Sequence, residues 1–351
     1  MRAWERAQPP ATVTSWPVRL ALTFGALALG AGVLLFVSAH WDALSPLVRF
    51  TLVVALTGLF HVGGALLADR LPALATALHG VGTVALGAGV YLTGQVFNLQ
   101  EHWPGGLLLW AVGAALGWWW RRDVVQFALL AVLAPMWLVA EWIAAADRTF
   151  IFERGTALVT ATGLFLLAVA YSTARRGRGD TAYRRLLTRL GTLVFLPTAA
   201  FLAVTAGELW SSRPVAFTAV LALGWLIALA VPMVVAWLAR RTDAWPFALV
   251  VAWTLILPLL PAWADLLSYL WWAVGAVGLV AWGVNERRVD RINLGAAVFA
   301  LTVFAFYFSR VLDKLGRSLG LLVVGLLFLA GGAALERVRR RLVAHAMGEA
   351  R

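Results

Sequence analysis

The sequence predicts an all-α fold, a polytopic transmembrane helical bundle of about twelve helices with both termini in the cytoplasm. The 351-residue chain is 62% hydrophobic and only 13% charged, whereas soluble domains are roughly 45–50% apolar and about 25% charged. The hydrophobic residues form runs that are long enough to cross a bilayer. The basic residues fall on alternate connections between those runs. Together these observations exclude soluble globular, disordered and fibrous proteins.

Twelve hydrophobic segments, which we call spans 1–12, are candidates for the crossing helices, since each helix needs about 20 apolar residues. They cover residues 18–38, 48–68, 76–96, 105–120, 124–142, 156–172, 190–207, 215–238, 245–261, 267–284, 292–309 and 318–335. Span 4 is short and rich in glycine, and span 9 contains three prolines, so these two are the weakest candidates. The connections are too short for a soluble domain. Any binding site is therefore expected between the helices or in the loops.

The basic residues predict the orientation of the bundle. If the N-terminus is cytoplasmic and all spans cross, about three quarters of the 29 basic residues lie on cytoplasmic segments, as the positive-inside rule requires. Omitting span 9 inverts every later segment and weakens this asymmetry. We therefore expect a multi-pass protein of the cell inner (plasma) membrane. The basic cytoplasmic linker 173–189 separates an N-terminal half, 1–172, from a C-terminal half, 190–351.

The net charge of +12 raises the question of an anionic partner. No basic segment is long enough to form a nucleic-acid-binding module, so we expect no nucleic acid. The densest basic clusters are Arg175–Arg189 and Arg337–Arg341, both on predicted cytoplasmic segments. The simpler interpretation is that these arginines set the topology. The alternative is that they also bind anionic lipids of the bilayer, each residue contributing about 1 kcal/mol.

Glycines in spans 3 and 4 are spaced for close helix packing, which in a bilayer depends on small residues and polar pairs. The predicted packing positions are Gly80, Gly87 and Gly94 on one stripe of span 3, and Gly113 and Gly117 as a GxxxG motif in span 4. Gly82 and Gly89 lie on the opposite face of span 3. We therefore expect span 3 to be central, with a neighbouring helix on each of two sides.

Two histidines lie inside predicted spans, His61 in span 2 and His79 in span 3. Both are on the cytoplasmic side, where they can face each other. An intramembrane histidine is a functional candidate by default, but the interpretation that we favour is a neutral histidine that hydrogen-bonds between helices. The spans hold almost no other ionisable residues, which argues against a carboxylate-based proton pump and a voltage sensor.

Polar side chains gather at the predicted outer ends of spans 1 and 3 and form a candidate ligand pocket if these spans are neighbours. They are His40, Asp42, Gln95, Asn98, Glu101 and His102. Such a set suits a cationic or sugar-like ligand or a divalent metal, but no metal-binding spacing such as HExxH is present. Nearby Trp41 and Trp103 favour the alternative that this region anchors the protein at head-group depth.

The sequence carries no catalytic or cofactor motif. It contains no cysteine, which excludes disulfides, thiol catalysis and cysteine-based metal sites. It has no GxSxG nucleophile motif, no phosphate-binding loop and no kinase-like set. We therefore expect no enzymatic activity and no cofactor.

Several short motifs follow one another in a recognisable order. They are Ser38-Ala39-His40-Trp41 after span 1, Gly94-Gln95-Val96-Phe97-Asn98-Leu99 at the end of span 3, Leu109-Trp110-Ala111 in span 4, and a C-terminal series from Asn293-Leu294-Gly295 to Glu336-Arg337-Val338-Arg339-Arg340. In this order they resemble the domain-of-unknown-function 2157 family (DUF2157) of predicted bacterial integral membrane proteins. The resemblance implies a multi-helix inner-membrane protein and no particular activity.

Two functional hypotheses remain open at the level of sequence. The first is a non-catalytic membrane protein with a structural, sensory or partner-binding role in the cell envelope. The second is a secondary transporter or a lipid-handling protein with a polar site near the outer ends of spans 1 and 3. Six plus six helices around a basic central segment is also the layout of major-facilitator transporters, which is an analogy of layout alone.

Overall fold

The computed structural model describes residues 45–96, 102–146, 154–173, 181–208, 218–240, 244–260 and 266–311, together with isolated positions within 24–35 and 325–340. The continuous ranges form ten α-helices and contain no strand. The helices are α1 (Pro46–Leu67), α2 (Pro72–Val96), α3 (Pro104–Arg121), α4 (Val124–Ala145), α5 (Arg154–Ser172), α6 (Ala182–Glu208), α7 (Ala219–Arg240), α8 (Trp245–Ile256), α9 (Leu266–Asn285) and α10 (Val289–Phe306).

Helices α1–α10 follow the order of predicted spans 2–11, so the all-α prediction is confirmed for the described part of the chain. Within it, 8 helices are long and apolar enough to cross a membrane. The two that fall short are α3 and α8, the helices of spans 4 and 9. Helix α8 has only 12 residues before a 3₁₀ turn that contains Pro258. Spans 1 and 12 lie outside the continuous ranges, and the cytoplasmic location of the termini stays a prediction.

The chain divides into two compact units, residues 1–141 and 142–351. The division falls within α4, whereas the sequence predicted halves on either side of residues 173–189. The predicted basic linker 173–189 overlaps α6, which begins at Ala182. The basic residues from there onward therefore lie on a helix.

In unit 1, α2 is packed closely on two opposite faces, as the sequence predicted. A Cβ atom on Gly82 would lie 2.9 Å from the His61 ring of α1. On the other face, a Cβ on Gly87 would lie 2.2 Å from the Trp110 indole of α3, and one on Gly80 would lie 2.8 Å from a methyl of Val125. These glycines let the neighbouring helices approach.

Three further predicted packing positions can be compared with the structure. A Cβ on Gly113 would lie 2.5 Å from Leu86, and one on Gly117 would lie 3.0 Å from Gln126, so both are at helix contacts. No atom of the described residues lies within 4 Å of the place of a Cβ on Gly94, so the packing role of Gly94 stays a prediction. Gly94 shares the stripe of Gly87, but it stands near the last residue of α2, beyond the part that α3 covers with Trp110.

In unit 2, α5 is the central helix. About 83% of its residues are buried, and its side chains form the core with neighbours from α6, α8, α9 and α10. The largest core side chains are Phe165, Leu166, Phe195, Leu202, Phe247 and Trp272. A Cβ on Gly191 of α6 would lie 2.6 Å from the carbonyl oxygen of Ala168, so α5 and α6 pack backbone to backbone. This core forms one wall of the site described below.

Helices α9 and α10 form a tight antiparallel hairpin. A Cβ on Gly295 would lie 2.8 Å from the carbonyl oxygen of Ala276, and one on Gly283 would lie 2.9 Å from the backbone nitrogen of Ile292. Backbone atoms cannot move aside as side chains can. Glycine at these positions therefore sets the distance between the two helices.

The turn between α9 and α10 is a Schellman motif, a common way to end a helix. The N–H of Arg288 donates to the carbonyl of Gly283 at 2.7 Å, and the N–H of Arg287 donates to that of Val284 at 3.1 Å. Arg287 has a φ of 54°, the left-handed conformation that usually falls to glycine at this position. The motif turns the chain sharply, so that side chains from the end of α9 and the first turn of α10 face each other.

Candidate functional site

Unit 2 contains an apolar cavity of about 410 Å³, within the range of small-molecule sites, roughly 300–1,000 Å³. It lies among α5, α6, α8, α9 and α10. The aromatic residues of its lining are Phe165, Phe195, Trp245, Trp253, Trp272 and Trp282. The exposed residues of the lining show where the cavity opens. Trp245, Leu249 and Val274 are 67%, 62% and 55% exposed. The cavity is therefore open at the apolar surface of the unit.

Two tryptophans hold the walls of the cavity together. The indole Nε1 of Trp253 in α8 donates to the carbonyl of Trp271 in α9, and the Nε1 of Trp271 donates to the carbonyl of Trp253, both at 3.1 Å. Gly275 leaves room for the Trp253 ring, since a Cβ there would lie 2.6 Å from it. At Gly278, which also lines the cavity, a Cβ would meet no atom within 4 Å. The walls are fixed, and the space beside Gly278 is open.

Three helix ends meet in an ion-pair cluster at the end of the cavity that Trp282 lines. Arg240 is the last residue of α7, Glu286 follows α9, and Arg291 lies in the first turn of α10. Both guanidinium groups donate to the Glu286 carboxylate, Arg240 through Nη2 to Oε1 and Arg291 through Nη1 to Oε2 at 2.6 Å. The Nε1 of Trp282 donates to Oε1 at 2.6 Å. We call these four residues the arginine cluster.

The arginine cluster adjoins the cavity at Trp282. The Cζ atoms of Arg291 and Arg240 lie 4.1 and 5.4 Å from the centre of the Trp282 ring, which is the geometry of a cation–π contact. The same indole lines the cavity beside Asn285. One side chain therefore contacts both the apolar space and the two charges.

The arginines are buried, and part of their hydrogen-bonding capacity is unused. Arg291 is 1% exposed and Arg240 is 8% exposed. Four of their nitrogen atoms, Nε and Nη1 of Arg240 and Nε and Nη2 of Arg291, have no hydrogen-bond partner among the described residues. Guanidinium groups present donors in a fixed fork that matches the oxygens of carboxylate and phosphate. The two side chains therefore retain donors that Glu286 does not occupy.

Glu286 is held in its ionised form. Burial raises the pKa of its carboxyl, but hydrogen bonds from Arg240 and Trp282 and the positive charge of Arg291 outweigh burial and lower the pKa below its ordinary value. In the same turn, Arg288 pairs with Asp290, with Nη2 at 2.5 Å from Oδ2. Two arginines share one carboxylate in the arginine cluster, so it carries an excess of positive charge.

A second polar contact lies in unit 1, between His61 of α1 and His79 of α2. Their Nδ1 atoms are 3.0 Å apart, and His79 is 4% exposed. The structure thus brings together the two histidines that the sequence placed on facing helices. In the described ranges no group of three or more His, Asp or Glu side chains is arranged to hold a metal ion.

The His79 region also connects α2 with α3 and α4 through backbone and side-chain hydrogen bonds. Gln126, 1% exposed, donates Nε2 to the carbonyl of His79 at 3.0 Å and accepts from the Thr83 hydroxyl at 2.9 Å. The Nε1 of Trp110 donates to the carbonyl of Thr83 at 2.8 Å. Polar pairs of this kind hold membrane helices together, since lipid provides no hydrophobic drive between them.

Residues 2–127 match the model of a family described as predicted membrane protein (DUF2157). The N-terminal third of the chain is therefore similar to the DUF2157 family, and we call residues 2–127 the DUF2157 region. The match confirms the N-terminal part of the resemblance, and the 8 long apolar helices agree with a multi-pass protein embedded in a lipid bilayer. The DUF2157 region includes α1–α3 and the histidine pair, while the cavity and the arginine cluster lie beyond it. No curated protein and no solved structure matches the chain.

Most of the candidate ligand pocket in the DUF2157 region lies outside the described residues. This applies to His40, Asp42, Asn98 and Glu101 and to the side chain of Gln95. His102 is described, and its Nε2 lies 3.1 Å from Oε1 of Glu141 in α4. Trp137 donates to the same oxygen at 2.8 Å. The described member of the predicted pocket thus contacts α4, a helix that the prediction did not include.

Sequence reasoning missed the arginine cluster because it counted these arginines only as topogenic charge. The predicted spans ended at residue 238 and began at 292, whereas α7 extends to Arg240 and α10 begins at Val289. One signal was present. Trp282 stands four residues before Glu286, on the same helical face, and a short run of alternating charges follows. A tryptophan followed by such a run of charged residues at a helix end indicates that the charged side chains form ion pairs.

Proposed function

We propose that the protein is a non-catalytic lipid-binding protein of the bacterial inner membrane, which holds the apolar chain of an amphipathic lipid in the cavity of unit 2. The observation that carries the proposal is the cavity itself, an apolar space of about 410 Å³ open at the surface of membrane helices. This takes up the lipid-handling alternative from the sequence and moves the site from spans 1 and 3 to α8 and α9.

A hydrocarbon chain suits the lining better than a polar solute does. Apart from the tryptophan indoles, Asn285 is the one lining residue with a polar side chain. The Trp253 indole already donates to the Trp271 carbonyl. A sugar or an amino acid would lose its hydrogen bonds to water without gaining others. An acyl or isoprenoid chain makes no hydrogen bonds to water, so it loses none on entering the cavity. The bilayer supplies such chains at the opening.

The non-catalytic part of the proposal rests on the sequence, which has no nucleophile motif, no phosphate-binding loop and no metal-binding spacing. The structural, sensory or partner-binding role stays a prediction for the DUF2157 region. There the hydrogen bonds of His79, Gln126 and Trp110 support a structural role.

The cytoplasmic orientation of the arginine cluster is part of the proposal. Arg240 and Arg291 belong to segments 239–244 and 285–291, which the positive-inside rule assigns to the cytoplasm. Contact of both arginines with Glu286 supports the idea that these two segments lie on the same side of the membrane. Anionic lipid of the inner leaflet is then the nearest charged partner.

The test fills the cavity without disturbing its walls. Gly278→Phe introduces a ring where a Cβ meets no atom of the described residues within 4 Å. Gly58→Phe in α1 is the matched control, because a Cβ on Gly58 also meets no atom of the described residues within that distance. The protein is purified in palmitoyl-oleoyl-phosphatidylcholine nanodiscs, and the phospholipids that remain after release are counted by native mass spectrometry. We expect Gly278→Phe to retain less phospholipid than the wild type and Gly58→Phe to retain the same amount.

The proposal fails if the folded Gly278→Phe variant retains as much phospholipid as the wild type, because the cavity then holds no chain. It fails equally if both variants lose lipid to the same extent, which indicates only the general shell of lipid around the helices. Thermal unfolding of each variant shows that the comparison is between folded proteins.

A further inference from the structure

We infer that Arg240 and Arg291 form a binding site for the anionic phosphate of a lipid head group, while the cavity holds the chain of the same molecule. This inference rests on the proposed function and adds the chemical class of the ligand. The apolar cavity alone does not require buried charges. The inference gives these charges a role in ligand binding.

The apolar cavity and the charged cluster lie next to each other in the same order as the acyl chain and the phosphate of a phospholipid. The apolar lining runs along α9 from Trp272 to Trp282, and the guanidinium groups lie directly against the Trp282 ring. A ligand that fills the cavity beside Trp282 therefore places its polar end next to Arg240 and Arg291.

The arginine cluster also lies at the depth of head groups. The candidate membrane spans of α7 and α9 end at Arg240 and Asn285, and that of α10 begins at Val289. Phosphate groups occupy the boundary between the hydrocarbon layer and water. Basic pockets between membrane helices at this depth are known to suit anionic head groups.

The unused donors provide the coordination. Glu286 occupies one nitrogen of each guanidinium, and two further nitrogens on each side chain have no partner among the described residues. A phosphodiester has two anionic oxygens that match such a fork. Glu286 then acts as an internal counter-ion, which partly neutralises the arginines and limits their affinity for an external anion.

This arrangement predicts the charge of the preferred lipid. Phosphatidylglycerol carries an uncompensated phosphate, whereas phosphatidylcholine carries a quaternary amine that would be held beside two guanidinium groups. With identical acyl chains, the cavity treats both lipids alike. The arginine cluster therefore favours phosphatidylglycerol.

The experiment measures the thermal stabilisation of the full-length protein in neutral detergent on titration with each probe, since a ligand that binds the folded state raises the unfolding temperature. The probes are palmitoyl-oleoyl-phosphatidylglycerol, the matching phosphatidylcholine and free glycerol phosphate. We expect phosphatidylglycerol to bind about tenfold more tightly than phosphatidylcholine. Glycerol phosphate is expected to bind weakly, which identifies the lipid rather than a soluble phosphate as the source of the anion.

Three substitutions separate specific binding from general attraction. Arg240→Gln and Arg291→Gln are expected to abolish the tenfold preference. Arg287→Gln is the control, because it removes an equal charge from an exposed side chain in the same turn. Arg291→Lys keeps the charge but lacks the fork, so it is expected to fold and to lose most of the preference.

The decisive variant is Glu286→Gln. Removal of the internal counter-ion is expected to increase the affinity for phosphatidylglycerol several-fold and to leave that for phosphatidylcholine unchanged. A purely structural ion cluster predicts instead that Glu286→Gln gains no stabilisation from phosphatidylglycerol beyond that from phosphatidylcholine.

The inference is overturned if Arg291→Gln and Arg287→Gln reduce the preference equally, or if Glu286→Gln fails to increase it. Stronger stabilisation by glycerol phosphate than by phosphatidylglycerol would also overturn it. Failure of the proposed function is distinguishable, because Gly278→Phe then leaves the retention of palmitoyl-oleoyl-phosphatidylcholine unchanged. Failure of the inference alone leaves the effect of Gly278→Phe intact and removes only the dependence on the head group.

Discussion

The Nδ1 atoms of His61 and His79 lie 3.0 Å apart and join α1 to α2. One imidazole has to donate and the other has to accept. The contact therefore requires that one of the two Nδ1 atoms carries a proton and the other does not. Gly64 and Gly82 lie against the two rings, since a Cβ would come within 2.8 Å of His79 and 2.9 Å of His61. The contact is therefore built into the packing of both helices.

We expect His61→Leu and His79→Leu each to lower the free energy of unfolding by about 1 kcal/mol, because each leaves the other imidazole without its partner. The double variant is expected to lose less than the sum, with a coupling of about 0.6 kcal/mol, the average for hydrogen bonds between membrane helices. Reversible unfolding in mixed micelles measures all four proteins. Strictly additive losses would contradict a direct interaction.

Gly87 and Gly94 share one stripe of α2 but differ in their surroundings, which makes them a matched pair. A Cβ on Gly87 would lie 2.2 Å from the Trp110 ring, while one on Gly94 meets no atom within 4 Å. We expect Gly87→Ala to lower the free energy of unfolding by about 1–3 kcal/mol through overpacking. Gly94→Ala is expected to be neutral or to stabilise by about 0.5 kcal/mol. Equal effects in thermal unfolding would show that α3 does not press on α2.

The sequence was a good guide to features that repeat along one helix. Hydrophobic length located ten of the spans in the right order. The spacing of Gly80, Gly82, Gly87 and Gly89 predicted that α2 has neighbours on two faces. Both predictions need only the 3.6-residue period of the helix. The period gives the direction of a side chain but does not show how far along it a neighbouring helix extends.

The cavity and the arginine cluster could not be predicted in this way. They depend on contacts between different helices, which the 3.6-residue period of one helix does not encode. Arg240 and Glu286 are 46 positions apart and lie at the ends of different helices. Whether they meet depends on the length of α8 and α9 and on the tight packing of α9 against α10 at Gly295. A positive charge near a helix end has the same appearance in sequence whether it faces water or a buried carboxylate. The distinction comes from the packing alone.

The contact between Arg240 and Glu286 also bears on the path of α8. Helix α9 has 20 residues and is therefore about 30 Å long, so its first residue lies about 30 Å from the end beside Glu286. The chain that leaves Arg240 has to cover most of that distance through α8 and its 3₁₀ turn. We expect a reporter fused within 261–265 to be external and one fused within 241–243 to be cytoplasmic.

The same topology predicts an external reporter signal in the connection 146–153 and a cytoplasmic signal in the arginine-rich connection 173–181. Paired alkaline phosphatase and fluorescent-protein fusions measure both. The reverse assignment at these two positions would contradict the orientation, and equal sidedness at 241–243 and 261–265 would show that α8 does not cross.

Glu286 makes the stability of unit 2 dependent on pH. Its folded-state pKa lies below the ordinary value of 4.5 because the contacts with Arg240, Trp282 and Arg291 outweigh burial. A lowered carboxyl pKa contributes stability that is fully present above the unfolded pKa and is lost as the pH falls through the folded pKa. In neutral detergent without added lipid, we expect Glu286→Gln to destabilise the protein by about 2 kcal/mol at pH 7, since two buried arginines lose their charged partner. Glu336→Gln, which removes a carboxylate from an exposed pair with Arg340, is the control and is expected to change the stability little.

As the pH falls from about 6 to about 3, the wild type should lose stability faster than Glu286→Gln, so that the two curves of stability against pH converge. Parallel curves in thermal unfolding would show that Glu286 titrates alike in the folded and unfolded states.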